Sequence, residues 1–251
     1  MIAAGRVVVG LASLVLWHLA HVGLGAEWIS SPADVVRRTL EMAASGDLAR
    51  HTAATLIEAT FGFLLGAGSG ILVPFALRLS PRLTAALDPF FGAAMGVPKL
   101  ALAPLLILWF GIGMVSKIVF VAGVVFFFLF FNTLAGVRSI DRRLASAVRV
   151  LGAGEWTLTR EIVWHTTLPY VFAGLKVALP RAISAAVVGE FIAADRGLGY
   201  YINNARAMAD TVGLFTGVVV VTVLVLAIDA VLERLQARSL AWRPLTRDVG
   251  I

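Results

Sequence analysis

Apolar runs long enough to cross a bilayer fill most of this chain, and nothing else constrains its fold as strongly. A spanning helix takes about 20 mostly apolar residues, and such runs cover 7–24, 55–77, 83–111, 115–137, 170–193 and 212–232. The pattern predicts an all-α membrane protein of about six transmembrane helices, with no large aqueous domain. Composition agrees: 59% of the 251 residues are hydrophobic and 14% are charged, against about 25% charged in a soluble domain. Such a chain has too few polar residues to coat a soluble core. The first run follows Arg6 and could be the hydrophobic region of a signal peptide. The rest of the chain is equally apolar, and Leu24 stands where a small residue should precede a cleavage after Ala26, so this run is predicted to stay as a helix.

Inside the spans, residue choice marks faces that avoid lipid. Gly62, Gly66 and Gly70 recur every fourth residue and present bare backbone on one helical face, the pattern that lets another helix approach closely. Run 83–111 places Pro98 beside Lys99, then Pro104 and Trp109. Irregular backbone and charge persist at membrane depth only where protein or a water-filled cavity surrounds them. Asn132 ends a phenylalanine-rich stretch and fits either an interhelical hydrogen bond or a pore lining. Glu190 follows Gly189 and shares its span with Lys176, Pro180 and Arg181, which suggests a face turned from lipid; an ion pair holding the bundle is the alternative. Pro98, Lys99, Trp109, Asn132, Lys176, Arg181 and Glu190 are therefore the candidates for a translocation pathway.

Several chemistries are excluded or unsupported. The chain has no cysteine, which removes disulfides, thiolate metal sites and cysteine nucleophiles. None of its lysines, Lys99, Lys117 and Lys176, ends a Gly-x-x-x-x-Gly-Lys-Ser/Thr loop, so any ATP must be handled by a partner. His18 and His21 share a helix face without a third ligand at a recognisable spacing, so no metal is expected. Ser69 lacks the glycine a nucleophile elbow needs. No catalytic constellation emerges. A net charge of +6 could suit nucleic acid, but its distribution reports orientation instead. Both ends and every second loop carry twelve Lys and Arg against six on the other side, where Lys117 is counted. The positive-inside rule then puts both termini and the loop 138–168 in the cytoplasm.

That loop is the most informative segment. It reads as a short helix, a break at Gly152, a second amphipathic helix with Leu158 and Ile162 four apart, and Pro169 where the next span begins, a shape suited to docking on a cytoplasmic surface. It resembles the cytoplasmic loop of binding-protein-dependent ABC importer permeases, matching their signature at Arg149, Leu151, Gly152, Ala153, Trp156, Ile162, Leu168 and Pro169. It departs at Ser146, Val148 and His165. The likeness runs from about residue 52 to 244 and is similar to the nitrate, sulfonate and taurine branch in Pro98-Lys-Leu-Ala-Leu-Ala-Pro-Leu-Leu-Ile-Leu-Trp-Phe-Gly-Ile-Gly113, Asn132-Thr-Leu-Ala-Gly-Val-Arg138, Gly189-Glu190, Gly197-Leu-Gly-Tyr200 and Trp242-Arg-Pro244. Glu58 stands where many relatives carry a basic residue.

The resemblance implies a division into a first helix and external loop (1–51), a permease core (52–236) containing the coupling loop 138–169, and a cytoplasmic tail (237–251). It implies a non-catalytic subunit of a bacterial plasma (inner) membrane, paired with a second permease copy as a homodimer. Two ATPase subunits would bind the ATP and Mg, and an extracytoplasmic binding protein would deliver a small, anionic solute. Arg149, Gly152, Ala153, Glu155, Trp156, Leu158, Arg160, Ile162, His165 and Pro169 would form the ATPase contact, with Trp156, Leu158 and Ile162 as its apolar knobs. Two other readings are a secondary transporter carrying protons on Glu190 or Glu58, and an intramembrane enzyme using His18 and His21. No repeat between the halves supports the first.

Overall fold

The computed structural model describes residues 2–239, and among them there is helix but no strand. The Trp242-Arg-Pro244 motif and most of the predicted tail lie outside the described residues. In chain order the helices are α1 (Ile2–Leu24), α2 (Pro32–Ser45), α3 (Asp47–Arg78), α4 (Pro81–Gly96), α5 (Ala103–Phe110), α6 (Met114–Arg138), α7 (Arg142–Val150), α8 (Glu155–Leu158), α9 (Trp164–Ile192), α10 (Leu198–Ala207) and α11 (Thr211–Ser239). Four helical segments are long and apolar enough to cross a membrane by themselves: α3, α6, the continuous run Glu155–Ile192, and Thr211–Leu232. A bent pair, α4 with Lys99–Phe110, supplies a fifth, and the stretch Val8–Leu24 of α1 is a shorter apolar helix.

The core is α3, α6 and α9. A Cβ on Gly62 would fall 2.5 Å from Val121 Cβ, one on Gly66 2.5 Å from the Ala122 carbonyl oxygen, and one on Gly70 2.8 Å from Leu129 Cβ. Partners that advance in step with the glycines make α3 and α6 parallel, with the four-residue ridges of each helix interleaved. On α9, Gly174 meets Asn132 and Gly189 meets Lys117, so α9 runs antiparallel to α6. Val121, Val125 and Leu129 are fully buried in the resulting seam. Gly66→Ala is expected to destabilise the chain by about 1–3 kcal/mol through overpacking. Gly68→Ala, on the open side of the same helix, should stabilise it by up to about 1 kcal/mol through helix propensity. Unfolding followed by tryptophan fluorescence in detergent checks the opposite signs; equal effects would remove the glycine seam as the cause.

Two expectations are corrected here. The run 83–111 is not one helix: α4 stops at Gly96, Val97 and Pro98 are extended, a 3-10 turn covers Lys99–Leu102, and the two halves meet at 87°. Proline forces its predecessor out of helical geometry and lacks the N–H that would continue the ladder. Pro169 does not start a span. Helix α8 continues through a π-helical turn, Thr159–Val163, directly into α9, with Pro169 and Pro180 inside it.

Candidate functional site

At the end of the bundle that carries residues 138–163, the loop is pinned to α3. Arg149 holds Glu155 Oε1 with two donors, Nε at 3.1 Å and Nη2 at 2.6 Å. Arg78, in the last turn of α3, donates to Glu155 Oε2 at 3.2 Å and to Thr159 Oγ1 at 2.6 Å. An isolated exposed ion pair adds little, but the Arg78 side chain is only 14% exposed, and the network ties α7 and α8 to a core helix. Gly152, between α7 and α8, has φ +89°, the left-handed conformation that favours glycine. Sequence reasoning missed Arg78, which lies 77 residues from Glu155 and belongs to no local pattern.

The loop has two apolar faces, and the sequence expectation assigned one of them wrongly. Leu158 is 1% exposed and packs with Val137 and Val163, with Ile162 partly buried against them. Leu158 is therefore part of the bundle's own core and is no knob for another protein; Ile162 leans the same way. The outward tip is instead Val150, Leu151 and Trp156, exposed by 87, 85 and 76%. Ala153 and Pro169 are half-buried, while Arg160, beside Glu161 at 3.4 Å, and His165, whose Nδ1–H donates to the Arg160 carbonyl at 3.1 Å, are exposed.

The pathway candidates separate into different places. Lys99 donates from Nζ to the Met95 carbonyl at 3.1 Å, satisfying an acceptor left open where α4 ends, and sits 4.6 Å from the Phe127 ring centre. Arg181 lies over the neighbouring ring of Phe128, at 5.8 Å. Tyr170, Ala173, Lys176, Val177, Arg181 and Ser184 form the exposed stripe of α9. Charges near the middle of a span are costly in lipid. Pro98 and Trp109 are exposed at the bent pair. Asn132 does not stand with them: its Nδ2 donates to its own helix's Phe128 carbonyl at 2.8 Å and its Cβ packs near Gly174.

Glu190 stands apart from Lys176 and Arg181. Nine residues at 100° each put it on the side of α9 opposite Arg181, where it is 1% exposed. It accepts from Thr55 Oγ1 at 2.7 Å and from the Gly199 N–H at 2.6 Å. Thr55 also accepts from the Leu198 N–H at 2.9 Å, and His51 Nδ1 from the Gly197 N–H at 3.1 Å. Three successive amides at the start of α10 are thus held by α3 and α9, and a side chain at Gly197 or Gly199 would collide with Glu190. Beside this lock, Lys117 Nζ is 2.6 Å from Glu58 Oε1, with both side chains at least 94% buried. Lys117 is therefore a core residue rather than the loop charge that the orientation argument counted. His18 and His21 rings lie 6.1 Å apart, and His21 Nδ1–H donates to the Ile29 carbonyl at 2.6 Å. Among the described residues no group of three His, Cys, Asp or Glu could hold a metal.

The described residues thus combine a broken span, a glycine-seamed core and a pinned loop that presents an apolar tip. Residues 53–240 match the family described as binding-protein-dependent transport system inner membrane component, and the chain belongs to that family. It is a non-catalytic ABC transporter permease of the inner membrane. It is 33% identical to the putative aliphatic sulfonates transport permease protein SsuC of Bacillus subtilis, over 92% of this chain and 84% of that one. It is 36% identical to the riboflavin transport system permease protein RibX of Chloroflexus aurantiacus, over 94% and 90%. The taurine transport system permease protein TauC of Escherichia coli is 30% identical over 91% and 85%. Among solved structures, the inward-facing MetNI methionine ABC transporter matches with a TM-score of 0.61 at 20% identity, covering 76% of this chain and 93% of that one. That likeness supports the helical fold.

Proposed function

We propose that two copies of this chain enclose a path for a small anionic solute of the sulfonate, taurine or nitrate kind. Two cytoplasmic ATPase subunits, which bind ATP and Mg, each take one loop tip, and an extracytoplasmic binding protein delivers the solute. The observation that carries the ATPase role is the tip itself: Val150, Leu151 and Trp156 project from a loop whose base is fixed through Arg149, Glu155 and Arg78. A rigid base transmits displacement, and a solvent-exposed apolar tip needs a groove. ATP-driven closure of the ATPases would move both loops together and switch the path between its two openings. This reading puts both termini in the cytoplasm.

An anionic solute is favoured by the cations Lys176 and Arg181 on the exposed stripe of α9 and by the sulfonate and taurine permeases among the relatives. Co-expression of the chain with its genomic neighbours tests the assembly. An ATPase should purify with the chain in a one-to-one ratio, and Trp156→Ala should reduce that recovery by at least about tenfold, the effect of losing an aromatic anchor worth about 2 kcal/mol. Uptake of taurine or an alkanesulfonate by the reconstituted assembly supports the solute class. Uptake of riboflavin alone would replace it, and a chain that transports without any ATPase would overturn the whole reading.

A further inference from the structure

Between the loop and the bundle lies a cavity of about 630 Å³, lined in part by the two arginines that fix the loop base. Arg78, Arg138 and Arg149 share its lining with Asp88, and Leu134, Val137 and Leu158 contribute apolar surface. Arg138 donates to Asp88 Oδ1 at 2.8 Å, while Arg78 and Arg149 turn to Glu155. Two carboxylates therefore face three guanidinium groups, and one positive charge is left over. Arg78 is the deepest of the three, and its Nε–H is buried without a hydrogen-bond partner. A buried donor without an acceptor destabilises its surroundings until something accepts from it.

A phosphate would bring that acceptor together with negative charge and further oxygens at guanidinium spacing. The position of the cavity says where the phosphate comes from. Arg78 and Arg138 are the last residues of α3 and α6, two of the membrane-spanning candidates, so the arginines stand at headgroup depth, and the apolar lining suits the part of a lipid below its phosphate. We propose that this cavity binds the phosphate of an anionic phospholipid, held by Arg78, Arg138 and Arg149. Its walls belong to α3, α4, α6, α7 and α8, so a lipid seated there joins the loop to three helices of the bundle. Lipid bound in this way adds a tie between the loop base and the bundle.

Native mass spectrometry of the delipidated full chain in detergent tests this without any assay of transport. Phosphatidylglycerol should bind about tenfold more tightly than phosphatidylcholine, and dioleoylglycerol, which has no phosphate, should not bind. Arg138→Gln should weaken phosphatidylglycerol by about tenfold through lost charge. Ala145→Leu, which fills the cavity and leaves every arginine in place, should weaken it as much. Tryptophan fluorescence melts that match the parent chain show that both variants remain folded. Equal binding of phosphatidylglycerol to the parent and to both folded variants would overturn the site. Inorganic phosphate that displaces the lipid at equal concentration would overturn the lipid as occupant and leave a free anion in its place.

Discussion

Lys117→Met is expected to destabilise the folded chain by about 3–5 kcal/mol, because it leaves the Glu58 carboxylate buried without its cation. Both side chains are almost wholly removed from solvent, and their 2.6 Å contact joins α3 to α6 beside the Thr55–Glu190 hydrogen bond. Glu58→Met should cost a similar amount for the mirror-image reason. The double variant Glu58→Met with Lys117→Met removes both charges and keeps apolar volume, so it should recover most of the loss and could exceed the parent, as buried pairs replaced by well-packed apolar residues often do. The chain has six tryptophans and no cysteine, so intrinsic fluorescence can follow unfolding where thiol-reactive dyes cannot. Single variants that melt with the parent would show that water reaches the pair. A double variant as unstable as the singles would show that packing, and not charge, made the contact matter.

How much of this was legible depended on how local each signal is. The glycine seam could be read because residues 62, 66 and 70 return to one face by helical period alone, whatever they pack against. The break at Pro98 could be read as irregularity, but its 87° bend could not, since the angle depends on what α5 and the Lys99 turn pack against. Lys117 was misread because a basic residue three positions into α6 looks like a loop charge. Its partner Glu58 is 59 residues away in the sequence and gives no spacing to notice. Glu190 was grouped with Arg181 because the two are near in sequence, although half a turn of phase separates their faces. Leu158 shows a different limit: amphipathic spacing says that a face is buried, and not whether its own bundle or another subunit buries it. The Gly189-Glu190 and Gly197-Leu-Gly199 segments were noticed as motifs, but their purpose, capture of the α10 amides by Glu190, Thr55 and His51, needed the fold.

Gly152→Val is expected to leave the bundle folded and to lower transport on the order of 100-fold, the scale of misplacing a functional contact by about 1 Å. Helix α7 closes with the Gly152 N–H donating to the Arg149 carbonyl at 3.0 Å and the Ala153 N–H to the Val148 carbonyl at 3.2 Å. That pair of hydrogen bonds needs a left-handed residue at position 152, and Gly152 has φ +89°. A Cβ there would meet nothing within 4 Å, so the obstacle is conformation and not space. A β-branched residue in that conformation is strained by at least about 1–2 kcal/mol. The turn would relax, Arg149 would lose its two-donor alignment on Glu155, and the tip at Leu151 and Trp156 would shift relative to Arg78. Gly154→Ala supplies the control: Gly154 has φ −74° and open space around it, so transport should stay near that of the parent. Uptake into proteoliposomes, with ATP hydrolysis measured in parallel, separates the outcomes. Hydrolysis that continues without uptake marks a loop that no longer transmits motion. Normal uptake by Gly152→Val, or an equal loss in Gly154→Ala, would show that the left-handed turn does not set the position of the tip.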